Sequence, residues 1–372
     1  MALLLTIGLV SILAIVTLQF NRQMRQEYTL AAGLKNDIRL GEMARSGILI
    51  AEELLLQDME ENDSDSLHDP WALLEEEELT GLFEQGSLEV AVADESGKYQ
   101  INAMVITKKK KSSAPEETSK AEAEEKKQED EEQEQKQEEG AEGKEKKGEE
   151  KLTGEEKERQ REVDIRNVLW RLLREEPFLV EDGDAREIID SLIDWIDSGD
   201  GDGEEEYGAE DSHYQSLDPP YSCKNGPIES IEELLLVKGF SRELLFGTDE
   251  TPPLAPLLTH LGDDGRININ TADPSLLQAL AFGIDKDIAE TMNSFREDEN
   301  NKEELANVQW YKDVPSFPGD IAETIKKQDL VATVAGYFTI EARAEFNNQQ
   351  KTVTTVVERS NSRISTLRYH SE

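Results

Sequence analysis

The first twenty residues of the chain, Met1 to Phe20, are mostly apolar and contain no charged side chain. A run of this length is sufficient to cross a lipid bilayer as a helix. A secretory signal peptide would have a shorter apolar core, a basic segment before it and a small-residue cleavage site after it, and this run has neither flank. The pattern therefore predicts a transmembrane helix at 1–20. Arg22 and Arg25 follow the span, but counting charges does not settle its orientation.

The helical pattern continues beyond the predicted span. No proline occurs between Asn21 and Asp58, and apolar residues recur at mostly helical spacing. We therefore expect an amphipathic extension of the same helix over 21–60. Its apolar stripe can pack against the globular part of the chain or against neighbouring helices of the same kind, and it comprises Leu30, Leu34, Ile38, Ile48, Ala51 and Leu55.

Two segments alternate between apolar and polar residues in the way that strands do. In the first, 61–107, Leu88, Val90 and Val92 alternate with their neighbours and a turn at 94–97 precedes a second alternating run, which predicts a β-hairpin. In the second, 329–372, a turn at 347–350 separates two alternating runs. A long N-terminal helix followed by strands is the outline of a pilin.

Two regions lie between these strand segments. Residues 108–162 consist almost wholly of Lys, Glu, Gln, Ser, Gly and Ala, so they lack the apolar surface that a packed fold requires, and we expect a disordered insertion. This insertion is interpreted as a solvated linker or an interaction tail. Residues 163–328 carry several short helical patterns and predict an inserted all-α domain.

One stretch of the helical region, "ININTADPSLLQALAFGIDKDIAETMNSF", resembles a helix-hairpin-helix unit, and the turn "VKGF" echoes it. Such units can grip a nucleic-acid phosphate through backbone amides. The turn at 281–285 lacks the second glycine, is acidic and has no flanking basic cluster, and the chain has a formal net charge of −42. Phosphate binding requires a basic surface. The hairpin is therefore interpreted as a packing unit, and no nucleic-acid partner is expected.

Catalytic chemistry finds little support in the sequence. Four histidines are scattered without metal-ligand spacing, and the single cysteine, Cys223, can form no internal disulfide. No nucleophile elbow or phosphate-binding glycine loop is present. The residues thus favour a structural or binding protein over an enzyme, with no small-molecule substrate.

The segment "DWIDSGDGDGEEEYGAEDSHY", Asp194 to Tyr214, concentrates carboxylates and glycines in one loop. Oxygen ligands on a flexible, glycine-bearing loop are what Ca²⁺ prefers, and binding relieves the repulsion between the carboxylates. The segment is not an EF-hand, because Glu205 occupies the position of the sharp-turn glycine when the loop is counted from Asp200. The residues alone leave two interpretations, a calcium loop of another geometry or a solvated acidic loop.

Several motifs, in order, resemble one family: "DSLIDWIDSGDGDGEEEYGAEDSHY", "PPYSCKNGPIESIEELLLVKGF", "INTADPSLLQAL" and "GYFTIEARAE". The chain is similar to the minor pseudopilin K of the type II secretion system (general secretion pathway protein K). The resemblance implies an α+β fold, in which a long N-terminal transmembrane and amphipathic helix and a pilin-like sheet carry a large inserted all-α domain of helix-hairpin-helix or SAM-like type.

The same resemblance implies a function. Such a subunit caps, and helps to initiate, the pseudopilus that exports folded proteins across the outer membrane. It is a single-pass protein of the bacterial inner membrane, with a cytoplasmic N-terminus and a periplasmic globular part. Its expected partners are the I- and J-type minor pseudopilins, bound through the N-terminal helix. The alternative is a membrane-anchored periplasmic scaffold of another machine, such as a type IV pilus.

Two departures from the family pattern bear on this interpretation. Family members begin with a short basic leader that is cleaved, whereas this sequence begins almost at the expected mature terminus. Major pseudopilins have a glutamate at the fifth mature position, whereas Leu5 stands here. K-type subunits typically lack that glutamate, which implies a place at the filament tip, where no subunit lies ahead.

The resemblance also implies structural calcium in the helical domain, and the acidic loop matches that region. The ligands implied in this sequence are Asp197, Asp200, Asp202, Glu210 and Asp211, with Glu206 in reserve. A metal here would hold in place a loop of low apolar content, so that its binding energy contributes to folding.

Overall fold

The structure is a computed structural model, and it describes residues 2–75, 79, 81–105, 153–197, 205–360 and 363–372. Its first element is a single continuous helix, α1 (Ala2–Glu61), which confirms the predicted long helix. By length and composition its apolar N-terminal part is sufficient to cross a membrane, and that part is not buried against the rest of the chain. The helix therefore projects from the globular part.

The far half of α1 packs on a four-stranded antiparallel sheet of strand order β1-β6-β7-β8. Alternate residues of each central strand face the helix; Phe338, Ile340 and Ala342, for example, are fully buried. Ile48, Ala51 and Leu55 of α1 belong to the same core. The strands of this sheet are β1 (Ser87–Asp94), β6 (Tyr337–Phe346), β7 (Gln349–Ser360) and β8 (Arg363–Ser371).

The predicted hairpin after Asp94 is wrong. β1 pairs with β6, so that Leu88 lies opposite Ala344, while the chain after the turn pairs elsewhere. The two-residue strand β2 (Tyr99–Gln100) runs parallel to β3 (Leu258–Thr259). β1 pairs with the distant β6 and not with the segment after the turn, because only beside β6 is its apolar face buried in the sheet under α1.

The second predicted turn is confirmed, and it is shorter than the predicted turn at 347–350. β6 and β7 are joined by Asn347 and Asn348 alone, and both have left-handed backbones, with φ of 51° and 59°. Asparagine tolerates this conformation well, and a two-residue turn with two positive φ angles matches the twist of the flanking strands.

The region between the strands is mostly helical, as predicted, and has a hydrophobic core of its own. Short 3₁₀ turns connect its helices, and a second parallel pair of two-residue strands, β4 (Ile267–Asn268) and β5 (Val331–Ala332), closes it. Its helices are α2 (Gly154–Arg174), α3 (Asp182–Ile196), α4 (Asp211–Tyr214), α5 (Arg242–Phe246), α6 (Pro274–Ala279), α7 (Lys286–Glu297) and α8 (Gly319–Gln328).

Two predicted boundaries of this region need correction. Residues 99–105, assigned above to the pilin-like strands, contribute Tyr99, Ile101 and Met104 to the helical core. Helix α2 begins at Gly154, inside the segment 108–162 that was expected to be disordered, because the Glu- and Arg-rich sequence there consists of good helix formers continuous with a buried helix. The rest of that insertion, 108–152, lies outside the described residues.

The helix-hairpin-helix unit is present and packs inside the chain. α6 and α7 are joined through Gly283, whose φ of 97° is the left-handed conformation that glycine adopts freely. Buried Arg171 of α2 donates to the carbonyls of Ala279 (2.6 Å) and Leu280 (2.8 Å) and so satisfies the end of α6. The unit therefore serves as part of the core.

A buried cluster of polar side chains connects the pilin-like sheet to the helical region; we call it the polar joint. Arg359 of β7 contacts both carboxylate oxygens of Asp65. Asp94, at the end of β1, accepts from Asn268 (2.8 Å) and Thr271 (2.6 Å), which belong to the motif "ININTADP". The polar joint consists of Asp58, Asp65, Asp94, Asn268, Thr271 and Arg359.

Candidate calcium loop and exposed helix surface

Helix α3 presents three aspartates to the acidic loop. Asp190, Asp194 and Asp197 are spaced by four and three residues, so they lie on one face of the helix. The opposite face is apolar and joins the helical core through Ile188 and Leu192. The apolar residues thus orient the helix, and its orientation turns the acidic face towards the returning loop.

Asp194 is the central residue of this face. It is completely buried, and its Oδ1 accepts a hydrogen bond of 3.1 Å from the backbone N–H of Glu205. Its Oδ2 is also buried, yet no described group makes a geometrically acceptable hydrogen bond to it. Gly208 approaches so closely that a Cβ at that position would collide with the carboxylate. A buried carboxylate oxygen without a partner is costly, so this atom calls for a further hydrogen-bonding or metal partner.

The chain returns to this face through a short helix and an aromatic contact. Asp211, the first residue of α4, accepts a 2.7 Å hydrogen bond from the backbone N–H of Cys223. Buried Tyr214 packs edge-on against Trp195, with ring centroids 5.0 Å apart. These contacts hold 210–214 beside the end of α3 and bring Glu210 and Asp211 near Asp194.

Charge accumulates in this small volume. Burial, with a smaller contribution from the nearby charges of Glu210 and Asp197, raises the pKa of Asp194 to about 6, although hydrogen bonds from the backbone amides of Glu205 and Ala209 act in the opposite direction. Arg166 forms an ion pair with Glu205 at 3.4 Å, on the rim of the loop. Burial has the same effect on Asp65 of the polar joint, whose pKa it raises to about 7 although Arg359 is paired with it. The raised pKa of Asp194 therefore reports the burial of this carboxylate.

The structure places the predicted ligands unequally. Asp200 and Asp202 lie outside the described residues, Glu206 is exposed, Asp197 and Glu210 are half-buried, and one oxygen of Asp211 is already a hydrogen-bond acceptor. Within the described ranges, no three His, Cys, Asp or Glu side chains converge closely enough to hold a metal ion. The calcium assignment therefore remains a prediction.

Asp194 is the residue that the sequence reasoning missed. It lies inside the apolar run "SLIDWID", where an acidic residue is unexpected, and it shares a helix face with Asp190 and Asp197. Both signals were available in the sequence. The buried, unsatisfied Oδ2 is the kind of hard oxygen that Ca²⁺ selects, so the residues present fit this ion.

The predicted partner-binding stripe of α1 has a buried half and an exposed half. Ile48, Ala51 and Leu55 are buried in the chain's own sheet core and are not available to a partner, so their assignment as partner-binding residues is wrong. Leu30, Leu34 and Ile38 are exposed, with 73%, 64% and 59% of their side-chain surface accessible. The difference arises because the sheet begins to cover the helix only near Leu40.

Other exposed apolar residues of α1 were missed. Met24, Tyr28 and Leu49 are exposed in the same way. Met24 and Tyr28 are four residues apart and so lie on one face, a spacing that the sequence already contained. The projecting half of α1 therefore carries a longer apolar surface than the predicted stripe.

Comparisons with known proteins support this architecture. Residues 149–246 match the family model described as type II secretion system protein K, first domain. Type II secretion system protein K of Aeromonas hydrophila is 38% identical over 109 residues, which are 29% of this chain and 31% of that protein. The protein of the same description from Pseudomonas aeruginosa is 33% identical over 103 residues, 28% of each chain. The matched region is thus under a third of these relatives' own length.

The fold extends the likeness beyond that region. A chain of the crystal structure of the GspK-GspI-GspJ complex from the enterotoxigenic Escherichia coli type 2 secretion system aligns with a TM-score of 0.58 and 16% identity. The alignment covers 92% of this chain and 99% of that one. At this identity the match establishes the fold.

The fold and site define a pilin-like α+β protein in which a helical domain is inserted between strands and one long apolar helix leads the chain. Its segment 149–246 matches the model of the type II secretion system protein K family, so the predicted resemblance is confirmed.

Proposed function

We propose that this protein is the K-type minor pseudopilin at the tip of a type II secretion pseudopilus, where it caps and helps to initiate assembly with the I- and J-type subunits. The observation that carries the proposal is the projecting half of α1. It presents Leu30, Leu34 and Ile38 to solvent, on a helix whose other half is already packed on its own sheet. An exposed apolar stripe of this kind is costly unless another surface covers it.

Anchoring in the inner membrane by α1, with the globular part in the periplasm, belongs to the same proposal. The uncharged run 1–20 supports a spanning helix, and the lack of a glutamate within that run supports the tip position. A buried charge in that part of α1 would be expensive in lipid unless a neighbouring subunit compensated it.

Co-purification with the I- and J-type subunits encoded in the same genome tests the assembly role. The full-length chain is expected to form a stable ternary complex in detergent, measured by size-exclusion chromatography with light scattering. Leu34→Arg should weaken the complex by at least tenfold, because it places a charge in an apolar helix interface. The matched control is Phe282→Arg, which introduces the same charge at a side chain that is 85% exposed in the helical region.

Absence of a ternary complex with the wild-type chain, or equal weakening by both substitutions, would contradict the assembly role of α1. A complex with the corresponding subunits of a type IV pilus instead would favour the alternative machine.

We further propose that the acidic loop binds one or more structural calcium ions. The residues that would hold the ion come from Asp194, Asp197, Glu210 and Asp211, together with Asp200, Asp202 and, in reserve, Glu206. The unsatisfied Oδ2 of Asp194 supports this, as does the convergence of α3 and α4 around it. When bound, the ion would neutralise the loop and hold its two ends together.

Removal of divalent ions followed by calcium titration tests this proposal. The melting temperature of the full chain should rise with calcium and should not rise in the Asp200→Asn, Asp202→Asn, Asp211→Asn triple variant. The matched control changes three exposed acidic residues elsewhere to their amides, Asp249, Glu250 and Asp287. An equal calcium response in the triple variant would remove these residues from the site, and no response in any version would leave a solvated acidic loop.

A further inference from the structure

The two edge strands of the pilin-like sheet differ in how far other residues cover them. The edge strand β1 is covered: the segment Trp71–Glu75 packs against it, and Trp71 and Leu74 are buried there. The other edge strand, β8, spans nine residues and pairs only with β7 on its inner side. No described backbone group bonds to the outer side of either edge strand, so the two edges differ in the packed segment that covers β1. Every second residue of such a strand turns an N–H and a C=O outward, ready to pair with another strand.

The side chains of β8 are also uncovered. Leu367 is 49% and Tyr369 57% exposed. The register shifts within β8, where Leu367 is the extra residue of a β-bulge: Val357 lies opposite Thr366 and Val356 opposite Arg368. The helix α1 covers mainly β6 and β7. The edge thus offers two apolar side chains beside its unpaired backbone.

The charge of this edge is opposite to that of the molecule. The chain has a formal net charge of −42, with 82 acidic against 40 basic residues, yet β8 carries Arg363 and Arg368. Among the described residues neither arginine has an acidic partner; Arg368 donates only to the backbone carbonyl of Glu229, at 2.9 Å. Two arginines without acidic partners, in a chain with so many carboxylates to offer, select for a negatively charged partner.

From these observations we propose that β8 is a docking edge for an extended, acidic segment of a partner protein, which adds a fifth strand to the sheet. Main-chain hydrogen bonds would supply affinity, while Arg363 and Arg368 select acidic side chains at alternate positions. A second copy of this chain, paired through the same edge, is a poor occupant, because its β8 would bring two further arginines to Arg363 and Arg368. The proposal is independent of the tip assignment, which depends on α1.

Synthetic strands test the edge directly. The probes are two fluorescent ten-residue peptides that alternate valine or threonine with glutamate in one and with lysine in the other. A third peptide repeats the glutamate sequence with N-methylated backbone amides, which cannot form the ladder. Binding is measured by fluorescence anisotropy to the full chain in neutral detergent, and amide hydrogen exchange locates the bound peptide.

The glutamate peptide is expected to bind at least tenfold more tightly than the lysine or N-methylated peptide and to protect 363–371. Arg363→Glu should weaken binding at least threefold. The matched control is Arg343→Glu, on the central strand β6, which should leave binding unchanged.

Three results would overturn the proposal. Equal binding of the glutamate and N-methylated peptides would show that charge alone attracts the peptide, without strand addition. No binding of any peptide would mean that the arginines prevent other strands from pairing with this edge. If deletion of 108–150 raised the affinity more than tenfold, the edge would already be occupied by this chain's own acidic segment.

Discussion

The polar joint and the acidic loop both bury carboxylates, but they differ in how the carboxylate oxygens are hydrogen-bonded. In the polar joint, Asp65 is paired with Arg359, and Asp94 accepts from two side chains and the backbone N–H of Ser96. In the acidic loop, Oδ2 of Asp194 has no geometrically acceptable hydrogen bond among the described residues. A buried carboxylate whose oxygens are hydrogen-bonded can connect two parts of a fold, whereas one whose oxygen lacks such a bond among the described residues leaves room for a further group, such as a metal ion.

The first prediction removes the cation of the polar joint. Arg359→Met should lower the free energy of unfolding by about 3–5 kcal/mol, because it leaves Asp58 and Asp65 buried without their cation. Urea denaturation followed by circular dichroism measures it. The control Arg343→Met removes an exposed arginine and should change stability by less than about 0.5 kcal/mol. A loss below about 1 kcal/mol for Arg359→Met would mean that the polar joint is not needed for stability.

The second prediction concerns the uncompensated side. Asp194→Asn should abolish most of the stabilisation by calcium, which is about 2.7 kcal/mol at a calcium concentration one hundred times the dissociation constant. In the calcium-free protein the same change should be neutral or stabilising, because it removes a buried charge. Calorimetry with and without calcium measures both values. Destabilisation of the calcium-free protein would show that Asp194 is already compensated.

Gly208 offers a steric test of the same loop. Gly208→Ala should lower the free energy of unfolding by about 1–3 kcal/mol, since the new Cβ collides with the Asp194 carboxylate and the loop must shift. Gly183→Ala is the matched control, because nothing lies within 4 Å of its Cβ position in helix α3. Equal stability of the two variants, measured by thermal denaturation, would mean that the loop does not approach Asp194 this closely.

A fourth prediction concerns the dependence of stability on pH. The pKa of Asp194 is raised by burial to about 6, above its ordinary value of 3.8, so the folded state binds a proton that the unfolded state does not. The calcium-free protein should therefore gain stability as the pH falls from about 7 towards 4, and calcium affinity should fall over the same range. Urea denaturation at each pH, compared with Asp194→Asn, isolates this contribution. An unchanged slope in the variant would assign the pH dependence to other groups.

Much of the fold could be predicted because its causes are local. The long helix α1 follows from an uncharged apolar run continued by a proline-free segment, and the β6–β7 hairpin follows from two asparagines between alternating strands. The position of the acidic loop could also be read from the sequence, as could the helix-hairpin-helix turn at Gly283. Each depends on residues close together in the chain.

The ligand set was predicted less well than the loop itself. Acidic residues in the glycine-rich segment were easy to select by composition, whereas Asp194 lies in an apolar helix, and only its burial distinguishes it from Asp190. Burial depends on how the returning segment at Gly208 packs, which composition does not specify.

The membrane-competent helix, the strand-forming segments, the helical insertion and the acidic loop can be read from the sequence, because periodicity and charge act over a few residues. The pairing of β1 with β6, about 250 positions later in the chain, and the burial of Ile48 on the same helix that exposes Leu30 are visible only in the folded structure. Those outcomes depend on where the sheet ends beneath α1. Such a limit is set by long-range packing, in which distant segments bury apolar surface together.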